Sequence, residues 1–154
     1  SEATASINDI IHKNTPADKF ITFFWGKMSS DGKRFKYVNA GHNPPILFRK
    51  DSDEPILLEE GGLILGAMPT MFPYETAEVE LKSGDILTFF TDGVTEALNI
   101  DQTEEYDEWR LVECIRKNRH LSSQNIIDTV INDINVFSNN IQYDDITMIV
   151  LRVN

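Results

Sequence analysis

Residues 1–13 place Ala3, Ile7, Ile10 and Ile11 at helical spacing and stop at Asn14-Thr15-Pro16, which predicts a short amphipathic helix. The period then changes. Residues 20–26 and 33–39 are rich in aromatic and β-branched side chains and flank Asp31-Gly32, the signature of a hairpin. Residues 40–45 carry too many breakers for regular structure. Short strands are expected at 46–48 and 56–58, separated by the polar turn 51–54, with a further turn at 59–62. Leu63 to Leu65 read as strand and turn ending at Gly66. In residues 76–81, Ala77, Val79 and Leu81 alternate with Glu78 and Glu80, which predicts a strand with one wet face. Residues 86–90 and 146–153 are nearly unbroken in apolarity, so both are expected to be covered on two faces.

Two helices are expected late in the chain. Residues 107–118 group Leu111, Val112 and Ile115 on one side. Ser122 or Ser123 caps a longer helix carrying Ile126, Ile127, Val130, Ile131, Ile134 and Phe137. Antiparallel strands followed by late helices predict an α+β layered sandwich of two antiparallel sheets flanked by helices, and disfavour a doubly wound parallel sheet.

Composition narrows the function classes. The 154 residues are single-domain in size, and 25 Asp and Glu against 14 Lys and Arg give a net charge of −11. Such a surface repels phosphate backbones and anionic bilayers, so neither nucleic acid nor membrane contact is expected. At 41% hydrophobic and 25% charged the chain has the composition of a folded domain. The single Cys114 permits no internal disulfide and no thiolate-rich zinc site. With no signal-peptide pattern and no long apolar run, a cytoplasmic location is expected.

Two strings are candidates for chemistry. Thr91-Asp92-Gly93 closes the most apolar strand, and a carboxylate at the mouth of a dry sheet is costly unless paired or bound to a cation. An Asp-Gly turn is the plainer reading. Tyr143-Asp144-Asp145-Ile146-Thr147 places two acids at the entry to the last strand, where alternation lets only one face a given site. If the two strands are neighbours with these ends together, Asp92 and one acid of the Asp144-Asp145 pair make an oxygen-only site for Mg²⁺ or Mn²⁺. Two carboxylates are too few for two metals, so a third ligand is required. Among the histidines, His12 and His120 read as helix-end surface residues, and only His42, in the Gly-Pro loop, is a candidate participant. Cys114 reads as a small core residue, and no nucleophile elbow, Walker loop or Rossmann glycine pattern is present.

The ordered set Asn39-Ala40-Gly41-His42-Asn43-Pro44-Pro45, Leu65-Gly66, Gly84-Asp85, Thr91-Asp92-Gly93-Val94-Thr95-Glu96-Ala97 and Asp144-Asp145-Ile146-Thr147 resembles the bacterial sporulation-protein-E-like and sigma-regulator serine phosphatases. These are a branch of the metal-dependent protein phosphatase 2C superfamily. The resemblance implies the two-sheet fold. It also implies in-line attack on a phosphoserine or phosphothreonine by a water activated by two Mn²⁺ or Mg²⁺ ions, without a covalent phosphoenzyme. On this resemblance Asp92 and Asp144 are metal ligands, Gly93 is a secondary candidate beside Asp92, and Asp145 supports Asp144. Asn39, Gly41 and His42 form an element near the site with no assigned role. The implied substrate is a phosphorylated regulatory protein of the anti-anti-sigma type, and a sensor or receiver domain is implied upstream.

Two departures qualify the resemblance. Tyr106-Asp107 stands where the family commonly has Phe-Gly, which is expected to change only a loop conformation. The family's earlier Gly-Asp-x-Ser-Gly segment, whose Asp bridges both metals, has no counterpart here. Residues 1–154 therefore read as a single phosphatase-like domain lacking its N-terminal strands, expected to bind metal weakly and turn over poorly alone. The rival readings are a non-catalytic, degenerate phosphatase-fold interaction module, and an unrelated acidic α+β binding domain.

Overall fold

Asp31-Gly32 turns the chain as the sequence predicts, and the resulting hairpin organises the first of two units. The computed structural model describes residues 2–16 and 18–154. It divides into Ser1–Pro44 with Leu58–Leu81, and Pro45–Leu57 with Lys82–Asn154.

In the first unit, strand β1 (Phe23–Met28) pairs antiparallel with β2 (Arg34–Ala40), from Phe23↔Ala40 to Met28↔Phe35. Gly32 takes φ 70°, a conformation open to glycine at little cost. Asp31 Oδ1 accepts the Ser29 hydroxyl at 2.5 Å and the Lys33 amide at 3.1 Å. Against the expected turn at 59–62, β5 (Gly61–Gly62) pairs with β2 in parallel. Glycine permits this approach: a Cβ on Gly61 would lie 1.8 Å from the Asn39 carbonyl oxygen. Residues 63–65 form no strand, and Leu65 joins the sheet only through a bridge to Ile21. Strand β6 (Ala77–Glu80) has the expected wet face, with Glu78 and Glu80 exposed.

Helix α1 (Glu2–Asn14) forms as expected, although the anticipated start at Ser1 lies outside the described residues. Its buried side chains are polar. Thr4 and Asn8 face inward, while Ile7 and Ile10 are 37% and 62% exposed. The polar groups are satisfied: Asn8 donates to Met68 O at 3.0 Å and Thr70 Oγ1 at 2.9 Å and accepts from Gly66 N at 2.8 Å, and Trp25 Nε1 donates to Thr4 Oγ1 at 3.0 Å.

The second unit holds a sheet in the order β4 (Pro55–Leu57), β3 (Ile46–Phe48), β7 (Ile86–Phe90), β8 (Met148–Arg152), antiparallel throughout. Helices α3 (Asp107–Asn118) and α4 (Ser123–Phe137) pack with Ile46, Phe48, Ile86, Phe90 and Val150 in one core. Ser122 caps α4 by accepting Asn125 N at 3.2 Å. Cys114 is buried in this core, and burial pushes its thiol up from the ordinary value. Strand β7 is covered as expected. Strand β8 is not: Ile149 and Leu151 remain 51% and 40% exposed, because β8 ends the sheet order and α4 packs on only one of its faces. Asp107 takes φ 66°, a backbone that glycine adopts more cheaply.

Two turns fix the ends of β7 and β8. At one end Asp85, 1% exposed, accepts Arg49 Nη1 at 2.5 Å, Lys82 N at 2.9 Å and Lys50 N at 3.3 Å. At the other, the four-residue helix α2 (Asp92–Thr95) follows β7, and Gly93 lies against the chain entering β8. A Cβ there would meet Asp145 O at 2.5 Å, which is backbone and cannot swing away.

Both turns yield predictions. Replacing Asp85 by Ala leaves Arg49 and two amides without their acceptor and is expected to lower stability by about 2–3 kcal/mol, read from urea unfolding. For Gly93→Ala, helix propensity alone predicts a gain of about 1 kcal/mol. The close approach to Asp145 predicts the opposite sign, a loss of about 1–3 kcal/mol by overpacking. The sign of the change in urea midpoint decides between them.

Candidate metal centre

Antiparallel pairing of β7 with β8 sets Phe90 opposite Met148, so the segment after β7 and the segment before β8 share one edge of the sheet. Thr91 ties them together. Its amide donates to Thr147 O at 3.1 Å, its hydroxyl donates to Asp145 O at 3.2 Å, and the same oxygen accepts Thr147 N at 3.0 Å. With Gly93 packed on the Asp144-Asp145 peptide, residues 92–93 and 144–145 are held side by side. The backbone carrying Asp92 thus lies beside the backbone carrying Asp144 and Asp145.

The surroundings differ from expectation in two respects. Asp92, Asp144 and Asp145 are all exposed, so they sit in water and bear little of the desolvation cost expected at a dry sheet mouth. Strand β8 begins only at Met148, so Asp144 and Asp145 precede the strand and strand alternation does not set their directions. Local bonds hold them instead. Asp92 Oδ1 accepts Gly93 N at 3.0 Å, Asp144 Oδ1 accepts Asp145 N at 2.7 Å, and Gln142 Nε2 donates to Asp144 O at 3.0 Å. Among the described residues no Lys or Arg forms an ion pair with these three acids.

Carboxylates gathered at one edge without a counter-cation, offering only oxygen, have the chemistry of a hard divalent ion's ligands. Asp92 and Asp144 would fill two positions of about six, leaving the others to water. Among the described residues no group of three or more His, Cys, Asp or Glu is assembled to hold a metal.

Asn39, Gly41 and His42 form a clamp within the first unit. Asn39 Oδ1 accepts His42 N at 2.8 Å, and its Nδ2 donates to His42 O at 2.9 Å and Leu58 O at 3.2 Å. Gly41 takes φ 74°, and a Cβ there would meet Ile64 Cγ2 at 2.1 Å. His42 Nδ1 lies 3.0 Å from Asn43 O, so that nitrogen is engaged by the loop's own backbone. Beside the clamp the Tyr37 hydroxyl donates to Glu60 at 2.5 Å, holding that carboxyl below its ordinary value, while burial and Glu60 push the phenol up. His12 Nδ1 lies 2.9 Å from Gly66 O. Thr91 is the residue that sequence reading passes over. It stands in the Thr91-Asp92-Gly93 string, but its role depends on the β7–β8 pairing, which the string does not contain.

Comparison with known proteins bears on the family and the fold. The family model for stage II sporulation protein E matches residues 1–154. The phosphoserine phosphatase RsbU of Bacillus subtilis (strain 168) is 28% identical over 152 residues, covering 99% of this chain and 44% of RsbU, so the chain spans less than half of that curated relative. The Mn-presoaked phosphatase domain of SpoIIE from Bacillus subtilis superposes with a TM-score of 0.66 at 23% identity, covering 99% of this chain and 66% of that one. The catalytic domain of the serine threonine protein phosphatase PstP, in complex with 2 manganese ions, shares the fold at a TM-score of 0.65 and 12% identity, covering 99% and 70%. The expected fold class holds: the chain is α+β, with the sheets and helices of phosphatase 2C-like domains. From the match along its whole length, the chain belongs to the stage II sporulation protein E family of phosphatase domains.

Proposed function

We propose that this domain serves hydrolysis of phosphoserine or phosphothreonine on a phosphorylated regulatory protein, with Asp92 and Asp144 as ligands of Mn²⁺ or Mg²⁺. The observation that carries the reading is the gathering of these acids at the β7–β8 edge, without a basic partner, in a chain of this family. RsbU is named a phosphoserine phosphatase, and the PstP structure contains manganese, which supports both the reaction and the cofactor. When bound, such an ion lowers the pKa of its water and offsets charge on the transferring phosphoryl group.

The chain's own residues supply position and charge. Thr91 and Gly93 hold the two backbone segments side by side, which brings the residues carrying the Asp92 and Asp144 carboxylates to one edge of the sheet. The Gly93 and Asp145 amides each hold one carboxylate oxygen and leave the other to a cation. Asp145 adds a third negative charge beside them, strengthening the local field toward a divalent ion. The Asn39–His42 clamp is proposed as a structural support.

A two-ion centre needs a further acid, which we propose is contributed by sequence preceding Ser1. A sensor or receiver domain is proposed on the same side, and an anti-anti-sigma-type domain as substrate. The 154-residue chain is then a weak metal binder of low activity, and the N-terminally extended chain an active enzyme, in a cytoplasmic setting.

The test is Mn²⁺-dependent hydrolysis of p-nitrophenyl phosphate by the extended chain, with Mn²⁺ affinity measured calorimetrically on the 154-residue chain. Asp92→Asn and Asp144→Asn are each expected to lower turnover by about a hundredfold or more and to weaken Mn²⁺ binding. Full activity in either variant refutes the ligand assignment. An extended chain that binds Mn²⁺ yet hydrolyses nothing favours the non-catalytic module.

A further inference from the structure

The sheet of the second unit has a second end, and its chemistry is the reverse of the first. Where β7 begins, Ile86 pairs with Arg152 and Phe48, five residues of β7 away from the turn that carries Asp92. A pocket of about 270 Å³ opens there, floored by Phe48 and Ile86 and rimmed by Arg49, Lys50, Arg119, His120 and Arg152. In a chain of net charge −11 this concentration of cations is a local inversion.

Part of the cluster is structural. Arg49 pairs with the buried Asp85, and Arg119 pairs with Asp53 at 2.5 Å and donates to Arg49 O and Ser52 O. Arg152 Nη2 donates to Arg119 O at 2.6 Å and Leu121 O at 2.5 Å, satisfying carbonyls just beyond α3. These bonds fix three guanidinium groups in place. Four permanent cations (Arg49, Lys50, Arg119, Arg152) thus line one pocket, with Asp85 and Asp53 as ion-pair partners of Arg49 and Arg119.

The remaining two groups have no such explanation. Among the described residues neither the Lys50 ammonium nor the His120 ring has a hydrogen-bond or ion-pair partner, although both line the pocket. The placement of Lys50 is built in. Its stem crosses Gly84, which takes φ 90°, and a Cβ on Gly84 would lie 2.7 Å from Lys50 Cδ. The next residue, Asp85, binds the Lys50 amide and the Arg49 guanidinium together. Gly84-Asp85, a string with no part in the carboxylate end, thus orients both basic residues of the β3 exit.

We propose that this pocket is a binding site for a small organic anion, a phosphate, phosphonate or carboxylate on a compact apolar body. The anionic group is received by Lys50 and His120 between the fixed guanidinium groups. The apolar body rests on the methylene stems of the rim, above the buried Phe48 and Ile86.

The probe is phenylphosphonate, which carries no hydrolysable ester, titrated calorimetrically into the 154-residue chain in buffer freed of divalent ions by chelating resin, so that no metal recruits it to Asp92 and Asp144. Lys50→Glu is expected to weaken binding about tenfold or more, and Lys50→Arg to retain it. The Lys50 side chain is exposed and its ammonium makes no bond among the described residues, so both variants keep the fold. Inorganic phosphate, lacking the ring, is expected to bind about fivefold more weakly. Absence of binding, unchanged affinity in Lys50→Glu, or loss of binding in Asp92→Asn overturns the site. Equal affinity for phosphate and phenylphosphonate overturns the assigned ligand class.

Discussion

The pairing of Ile86–Phe90 with Met148–Arg152 is the interaction on which both ends of the second unit depend. Five facing residue pairs set the register, and a one-residue slip would turn Val150 out of the core and carry Thr147 away from Thr91. Burial of Val150 against α4 and of Ile86 and Phe90 against α3 and α4 opposes that slip. The carboxylates and the cationic pocket are fixed by one ladder and separated by its length. Charges of opposite sign are thereby kept from pairing with each other.

Much of this was legible from residue order. The hairpin at Asp31-Gly32, the wet face of 77–80, the double cover of 86–90 and both late helices follow from period and turn chemistry. Asp92 and Asp144 could be named as candidates because each adjoins an apolar strand, and the resemblance of ordered motifs to a phosphatase family agrees with the match along the whole chain. What the sequence could not supply was contact between distant segments. The parallel pairing of Gly61 with Asn39 depends on a missing side chain, and a short Gly-Gly string reads locally as a turn.

Helix α1 shows the same limit in another form. Apolar spacing marks Ile7 and Ile10, yet the buried positions are Thr4 and Asn8, because the Gly66 amide, the Met68 carbonyl and the Trp25 indole offer polar partners there. Burial of a polar side chain is cheap when its partners are already in place, and those partners lie tens of residues away in sequence. Asp107 is a further case. Its φ of 66° is a left-handed conformation that glycine takes freely, and nothing in the local sequence around it marks that turn.

The exposed face of β8 bears on how the molecule behaves in concentrated solution. A terminal strand with Ile149 and Leu151 turned outward is a template for adding strands from other copies, the first step toward aggregation. Long-range repulsion between molecules that each carry −11 opposes this encounter, and that repulsion is screened within about 8 Å at physiological ionic strength. Colloidal stability therefore falls to salt before conformational stability does, and acidic residues with no part in the site help to keep this edge apart from its copies.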